Sequence, residues 1–312
     1  MSKSDAFFAH VFLPTYDDSS REIIEFDYNK EKDAFISKEG DLCNFHPWSA
    51  TDDFLTPQQE TSKIEFLARL DKSINELQKD RLKKVVLSRV FHINRKMTNI
   101  EDIIYPLAQA YPQSLVYHTN HPRFGEWIGA TPELLFARDG WQIDTMALAG
   151  TLPRESTSIW SDKLLNEHEY VANDIVNTFN ALGAKMVTRV GPQERLVGPV
   201  KHLETKFTFQ IGVSNEALIQ SLHPTSAICG YPRETASQWI ARNESHQRRM
   251  YCGLIEIQNK ACSSFYVNLR CAQVFHQHLE LYAGVGLTRY SHSHEEWRET
   301  ERKLETIGQL FT

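Results

Sequence analysis

Three charged residues near the C-terminus stand where a helix should be apolar. In YAGVGLTRYSHSHEEWRETERKLETI (282–307), a helical period of about 100° per residue puts Trp297, Leu304, Ile307 and Leu310 on one stripe. Arg298, Glu301, Arg302 and Glu305 fall on the opposite side, and Glu296, Glu299 and Lys303 join the apolar stripe. One reading is local: acids favour a helix N-terminus, and Lys303 pairs with Glu299 at i,i+4. The other is chemical, because carboxylates on an inward face need a partner. Gly284 and Gly286, just upstream, allow close approach to backbone. A second helix, 161–183, carries Glu167 four residues before Val171, beside an apolar stripe continued by Ile175, Val176 and Phe179. All-carboxylate ligation suits a hard cation such as Mg²⁺; each acid taken singly is better explained by solvent or by a basic partner, and it is the two helices together that bring the metal reading level. Arg270, inside the apolar run SSFYVNLRCAQVF, offers a planar fork for a carboxylate or is an edge-strand surface residue. Lys84 opens the apolar strand KVVLSRVFHI; desolvation there would fit it for base chemistry, and an edge gatekeeper is the plainer reading.

These residues need a scaffold. Helical periodicity covers 62–84, 161–183 (with Gly183 as its stop), 215–221, 233–243 and the C-terminal segment. Strand patterns cover 84–93, 113–119, 126–130, 133–139 and 141–150, then stretches around 185–190, 194–201 and 203–214. Runs 263–275 and 279–287 read as a hairpin pair. Strands joined by short loops with few intervening helices predict an α+β class with antiparallel sheets. Residues 1–60 read as loop-rich.

The chain has 312 residues, 41% hydrophobic and 24% charged, with a formal charge of −6. That suffices for a large core and gives no basic footprint for nucleic acid. No apolar stretch is long enough to span a membrane, and the N-terminus lacks a secretory core. The five scattered cysteines read as reduced thiols of a cytoplasmic protein. GVGLTR lacks the third glycine of a dinucleotide fingerprint. His292 and His294 read as a polar turn, since they have no zinc-type spacing with other ligands.

Taken in order, KVVLSR, GATPELLF, ALAGTLPR, NEHEY, VKHLE, HPTSAICGYPRETA, MYCGLIEI, FYVNLRCA and AGVGLTRYSHSHEEWRETERKLETI resemble the chorismate-utilising enzymes. These include isochorismate synthase, salicylate synthase and the large components of anthranilate and aminodeoxychorismate synthases. The resemblance covers about 62–310. It implies a single catalytic domain over 1–312, with two large antiparallel β-sheets packed face to face, helices outside and the site between them. It further implies Mg²⁺ on the ring carboxylate of chorismate, held by Glu167 and Glu299 with Glu296 nearby through water. Arg270 and Tyr251 would hold the enolpyruvyl carboxylate with the backbone of Gly284. Gly150 and Thr151 would meet the ring carboxylate, Lys303 would neutralise the acidic cluster, and His202 would sit beside the ring.

Within that family, amine-adding members resemble one another in a glutamine where this chain has Lys84. Ala149 stands where the aminodeoxychorismate type carries a nucleophilic lysine. The resemblance therefore implies that Lys84 deprotonates water for attack at ring C2 while Glu133 protonates the C4 hydroxyl, giving isochorismate. Salicylate synthase shares these residues, and a silent chorismate-binding relative is the non-enzymatic alternative. Menaquinone is the expected destination and a siderophore the alternative. The chain is expected to be a monomer or weak homodimer, with no nucleic-acid or membrane partner.

Overall fold

A computed structural model describes residues 7–14, 23–94 and 101–308. The chain opens with β1 (Phe8–Phe12), β2 (Ile23–Asn29), β3 (Ala34–Ser37) and β4 (Leu42–His46), then α1 (Lys63–Leu77) and β5 (Lys84–Ile93). α2 (Glu101–Ala110) precedes β6 (Leu115–His121), β7 (Gly125–Thr131), β8 (Leu134–Asp139) and β9 (Gln142–Pro153). α3 (Asp162–Ala181) leads to β10 (Lys185–Val197) and β11 (Val200–Gln210), then α4 (Asn215–Leu222), β12 (Gly230–Tyr231) and α5 (Arg233–Asn243). β13 (Leu254–Gln258), β14 (Cys262–Val267), β15 (Cys271–Val274), β16 (Leu279–Leu287) and α6 (Ser293–Gly308) complete it.

The strands form one ladder in the order β10-β11-β9-β8-β14-β13-β4-β3-β2-β1-β6-β7-β15-β16-β5-β12. The two sheets expected from the sequence are the halves of this ladder, folded so that their inner faces meet. Strands far apart in the order touch across the interior: Tyr117 of β6 donates to Asn268 (2.9 Å) and packs on Phe45 of β4 with ring centroids 5.7 Å apart. Thr131 at the end of β7 donates to the Val267 carbonyl of β14.

Helices cover the ladder where their stripes predict. Phe66, Leu70 and Leu77 of α1 pack with Val85, Leu87 and Leu287. Full burial of each such side chain contributes about 2 kcal/mol. Leu304 and Ile307 of α6 pack with Leu279, Leu281 and Ala283 of β16; Leu310 lies outside the described residues. Ser62 and Glu65 form a reciprocal cap on α1, and Ser161 caps α3. Gly183 ends α3 in the left-handed region (φ 77°), as its position suggested.

Several elements differ from expectation. The N-terminal region, read as loop-rich, carries four strands among its described residues: β1–β4 bridge β13 to β6 and so join the two halves of the ladder, while 47–60 hold no helix or strand. Strand β2 is half-exposed along most of its length, which erases the alternation that marks a strand. Helix α2 was unforeseen because Pro106 lies inside it, where a proline ordinarily ends a helix. The stretches read around 185–190 and 194–201 do not end where read: β10 runs through Lys185–Val197 with a register irregularity between Val190 and Gln193 at Gly191-Pro192, and β11 already begins at Val200. The run 263–275 is two strands, β14 and β15. Arg270 between them is in the left-handed region (φ 49°), so it is not the strand residue the alternation suggested.

Candidate active site

A cleft opens between the two halves of the ladder, lined by residues of β5, β9, β11 and β16 together with the β14–β15 break. Glu133, Gly150, Thr151, Glu167, His202, Tyr251, Arg270, Gly284 and Lys303 all line it. Lys84, wholly buried at the start of β5, reaches it through Glu167, with Nζ 3.3 Å from Oε1.

The glycines of β16 make room for this pair. A Cβ on Gly286 would lie 3.1 Å from Lys84 Cε and 3.3 Å from Glu167 Cδ, and would collide with Glu167 Oε1. A Cβ on Gly284 would lie 2.5 Å from the Tyr251 hydroxyl. Across the cleft, Gly150 is the extra residue of a bulge: His202 pairs with Thr151 and Leu203 with Ala149. It adopts φ 78°, which favours glycine, and its peptide leaves the ladder to face the cleft.

His202 organises one wall. Its Nδ1 lies 3.0 Å from the Gly150 carbonyl, which can only accept, so Nδ1 carries the proton. Nε2 is then the acceptor for the Arg270 guanidinium at 3.2 Å. Burial, then the Arg270 and Lys303 charges, hold this imidazole well below its usual range, so it stays neutral. A second Arg270 nitrogen donates to the Lys303 carbonyl at 3.3 Å. The left-handed backbone at Arg270 costs about 1–2 kcal/mol and lets the guanidinium face inward, where it is buried.

Each expected metal-binding carboxylate is held by a lysine. Lys84 holds Glu167, Lys303 holds Glu299 at 2.7 Å and also donates to the Gly284 carbonyl at 2.9 Å, and Lys163 holds Glu296. Burial, and next the Glu299 charge, push Glu296 up to about 7 against the pull of Lys163. Burial also raises Glu299, but Lys303 brings it below the ordinary value overall. Glu167 faces the main cleft, whereas Glu296 and Glu299 line an adjoining one that shares Thr151. The donor set is oxygen-only and on two helices, and burial followed by the Glu299 charge raises one of its carboxyls. A hard divalent cation fits that chemistry.

Glu133 is raised in the same way as Glu296. Burial pushes its carboxyl up to about 7, with Lys84 and Lys303 pulling the other way. It therefore keeps a substantial protonated fraction near neutrality, an acid facing the same space as a lysine. Lys163 was missed by the sequence reading. It sits in the first turn of α3, where a lysine looks solvated, and only the packing of α3 against α6 gives it Glu296. His292 and His294 lie at the turn before α6 and at its start, and among the described residues neither joins a group of converging metal ligands. All five cysteines are free.

The family model described as chorismate binding enzyme matches residues 11–312. This chain belongs to the chorismate binding enzyme family. The curated isochorismate synthase EntC of Escherichia coli (strain K12) is 29% identical over 242 residues, which take in 73% of this chain and 62% of the relative. The chain thus spans less than two thirds of that relative's length. Among solved structures, MenF, the menaquinone-specific isochorismate synthase from Escherichia coli, superposes with a TM-score of 0.72 at 21% identity, covering 97% of this chain and 79% of that one. Anthranilate synthase component I from Streptococcus pneumoniae TIGR4 superposes with 0.70 at 16% identity, covering 98% and 82%. The fold is common to solved structures titled isochorismate synthase and anthranilate synthase component I, so it does not by itself distinguish between them. Among the described residues no helix is long and apolar enough to cross a membrane.

Proposed function

We propose that this chain is an isochorismate synthase, converting chorismate to isochorismate with Mg²⁺. The observation that carries the reading is the presence beside one cleft of a buried lysine, Lys84, and a buried carboxyl, Glu133, that burial raises to about 7. Lys84 takes a proton from a water molecule whose oxygen bonds to ring C2. The ring double bonds shift, the C4–oxygen bond breaks, and Glu133 gives its proton to the departing hydroxyl, which leaves as water. One water enters and one leaves, so the net change is an isomerisation. Both groups regain their starting protonation through solvent. Placement of Lys84 at the start of β5 and of Glu133 in the two-residue connection between β7 and β8 supplies much of the rate, since correct positioning of acid and base is worth orders of magnitude.

Arg270 and Tyr251, with the Gly284 backbone, are assigned to the enolpyruvyl carboxylate. The Gly150–Thr151 backbone is assigned to the ring carboxylate, and His202 orients Arg270 beside the ring. Glu167 and Glu299, with Glu296 close by, would hold Mg²⁺, which would supply positive charge to the ring carboxylate; Lys303 offsets the remaining charge. Ala149 leaves no side-chain nucleophile at its position, and Lys84 replaces the glutamine expected of amine-adding members, which favours water as the nucleophile. We further propose that 1–312 is one catalytic unit, cytoplasmic, a monomer or weak homodimer, and that its product feeds menaquinone.

The test is a pair of variants. Lys84→Ala and Glu133→Gln should each lose on the order of 10²-fold or more in kcat while chorismate binding by calorimetry stays within a few-fold. Wild-type turnover in both would overturn the mechanism.

A further inference from the structure

A second cluster of ligating side chains lies away from the catalytic residues, where β5 ends against the β15–β16 turn. His92 pairs directly with Glu280 across β5 and β16. His278 belongs to the tight turn 275–278, closed by a hydrogen bond from Phe275 N–H to the His278 carbonyl at 2.9 Å. His92 Nε2 stands 3.8 Å and His278 Nε2 3.5 Å from Glu280 Oε1, and the three ligand atoms lie within 4.8 Å of one another. Both imidazole nitrogens are shielded from solvent and have no hydrogen-bond partner. Two orphaned nitrogens facing a wholly buried carboxylate are costly unless something joins them.

We propose that His92, His278 and Glu280 form a binding site for a divalent transition-metal ion of the zinc type. Two imidazoles and a carboxylate are a zinc donor set. Bonds of about 2.0–2.1 Å in a tetrahedron put ligand atoms about 3.4 Å apart, close to the separations from Glu280. The surroundings orient the carboxylate as an outer shell should. Arg249 donates to Oε2 at 3.2 Å, Tyr282 donates to it at 3.4 Å, and Gln58 N–H donates to Oε1 at 2.5 Å. Arg249 offsets part of the carboxylate charge, and the imidazoles supply most of the affinity. The histidine side chains are 20% and 17% exposed, whereas Glu280 is 0% exposed, so the cluster lies just beneath the surface with its carboxylate on the inner side. Residues 280, 282 and 284 share one face of β16. The ion would therefore clamp the turn to the strand that carries Tyr282 and Gly284 into the cleft.

The test uses full-length protein stripped by chelator and then titrated with cobalt(II) as a spectroscopic probe, in excess magnesium to fill hard-oxygen sites. About one equivalent should bind with the intense visible bands of a four-coordinate ion. His278→Gln and His92→Gln should each weaken that binding by about 10²-fold or more, with unchanged circular dichroism. Glu299→Gln should bind cobalt like the wild type. No cobalt uptake under magnesium, or wild-type uptake by both histidine variants, would overturn the site. Loss of uptake in Glu299→Gln alone would overturn it by moving the ion to the helix carboxylates.

Discussion

Gly286→Ala separates activity from stability at the centre of the cleft. The added Cβ would collide with Glu167 Oε1 and stand 3.3 Å from its Cδ and 3.1 Å from Lys84 Cε. Gly286 is not among the glycines of positive φ, so alanine meets no backbone strain there. The clash falls on the far ends of two flexible side chains, which can swing away. Stability should therefore change little, with the midpoint of thermal unfolding moving by only a few degrees, as about 1 kcal/mol would move it. Activity should not survive. Glu167 must retreat by on the order of 1 Å, and a misplacement of that size costs about 10²-fold, or roughly 2.7 kcal/mol of activation free energy. The assay is kcat/KM for chorismate consumption beside a melting curve. Activity within about threefold of wild type would refute the claim that the Lys84–Glu167 pair sits at the reacting centre. Gly284→Ala is the contrast: its Cβ would meet the Tyr251 hydroxyl at 2.5 Å and the Leu87 carbonyl at 3.3 Å. Backbone cannot swing aside, so both stability and activity should fall.

Burial holds the Glu133 carboxyl near 7 in the folded protein against an ordinary value of 4.5. Between those values the folded state binds the extra proton, so stability should decline as pH rises through that window. kcat/KM should fall as Glu133 ionises above about 7, and Glu133→Gln should flatten the stability profile; an unchanged profile in the variant would remove Glu133 as its source. Arg270→Lys should raise KM at least about tenfold with a smaller effect on kcat, because a point charge cannot replace a planar fork; unchanged kinetics would show that Arg270 does not meet the substrate.

The legible parts of the fold were those whose burial follows a simple period. β16 and α5 lie at their expected bounds because their sequences alternate or turn cleanly and end in turn signals. The N-terminal strands were not legible, since β2 is half-exposed and short loops break its pattern. Arg270 illustrates a subtler failure. A single left-handed residue inside an apolar run leaves no mark in alternation, yet it decides where the guanidinium points. At the site, the inward acids of α6 and the small residues of β16 signalled close approach. Lys163 did not, because its partner Glu296 is supplied by a helix more than a hundred residues away. The histidine–glutamate cluster was equally hidden: His278 sits in a turn, and only the β5–β16 register brings His92 to Glu280.

The most direct test is to incubate the protein with chorismate in heavy-oxygen water, with Mg²⁺ or with excess chelator, and to identify the product by mass and fluorescence. With Mg²⁺, the account predicts isochorismate carrying one labelled oxygen, little salicylate or pyruvate, and no anthranilate when ammonium is supplied. With chelator it predicts no turnover. Pyruvate and salicylate in equal amounts would move the chain to salicylate synthase with the same site. Anthranilate would contradict the role of Lys84, unlabelled isochorismate would contradict attack by water, and undiminished turnover in chelator would contradict the metal.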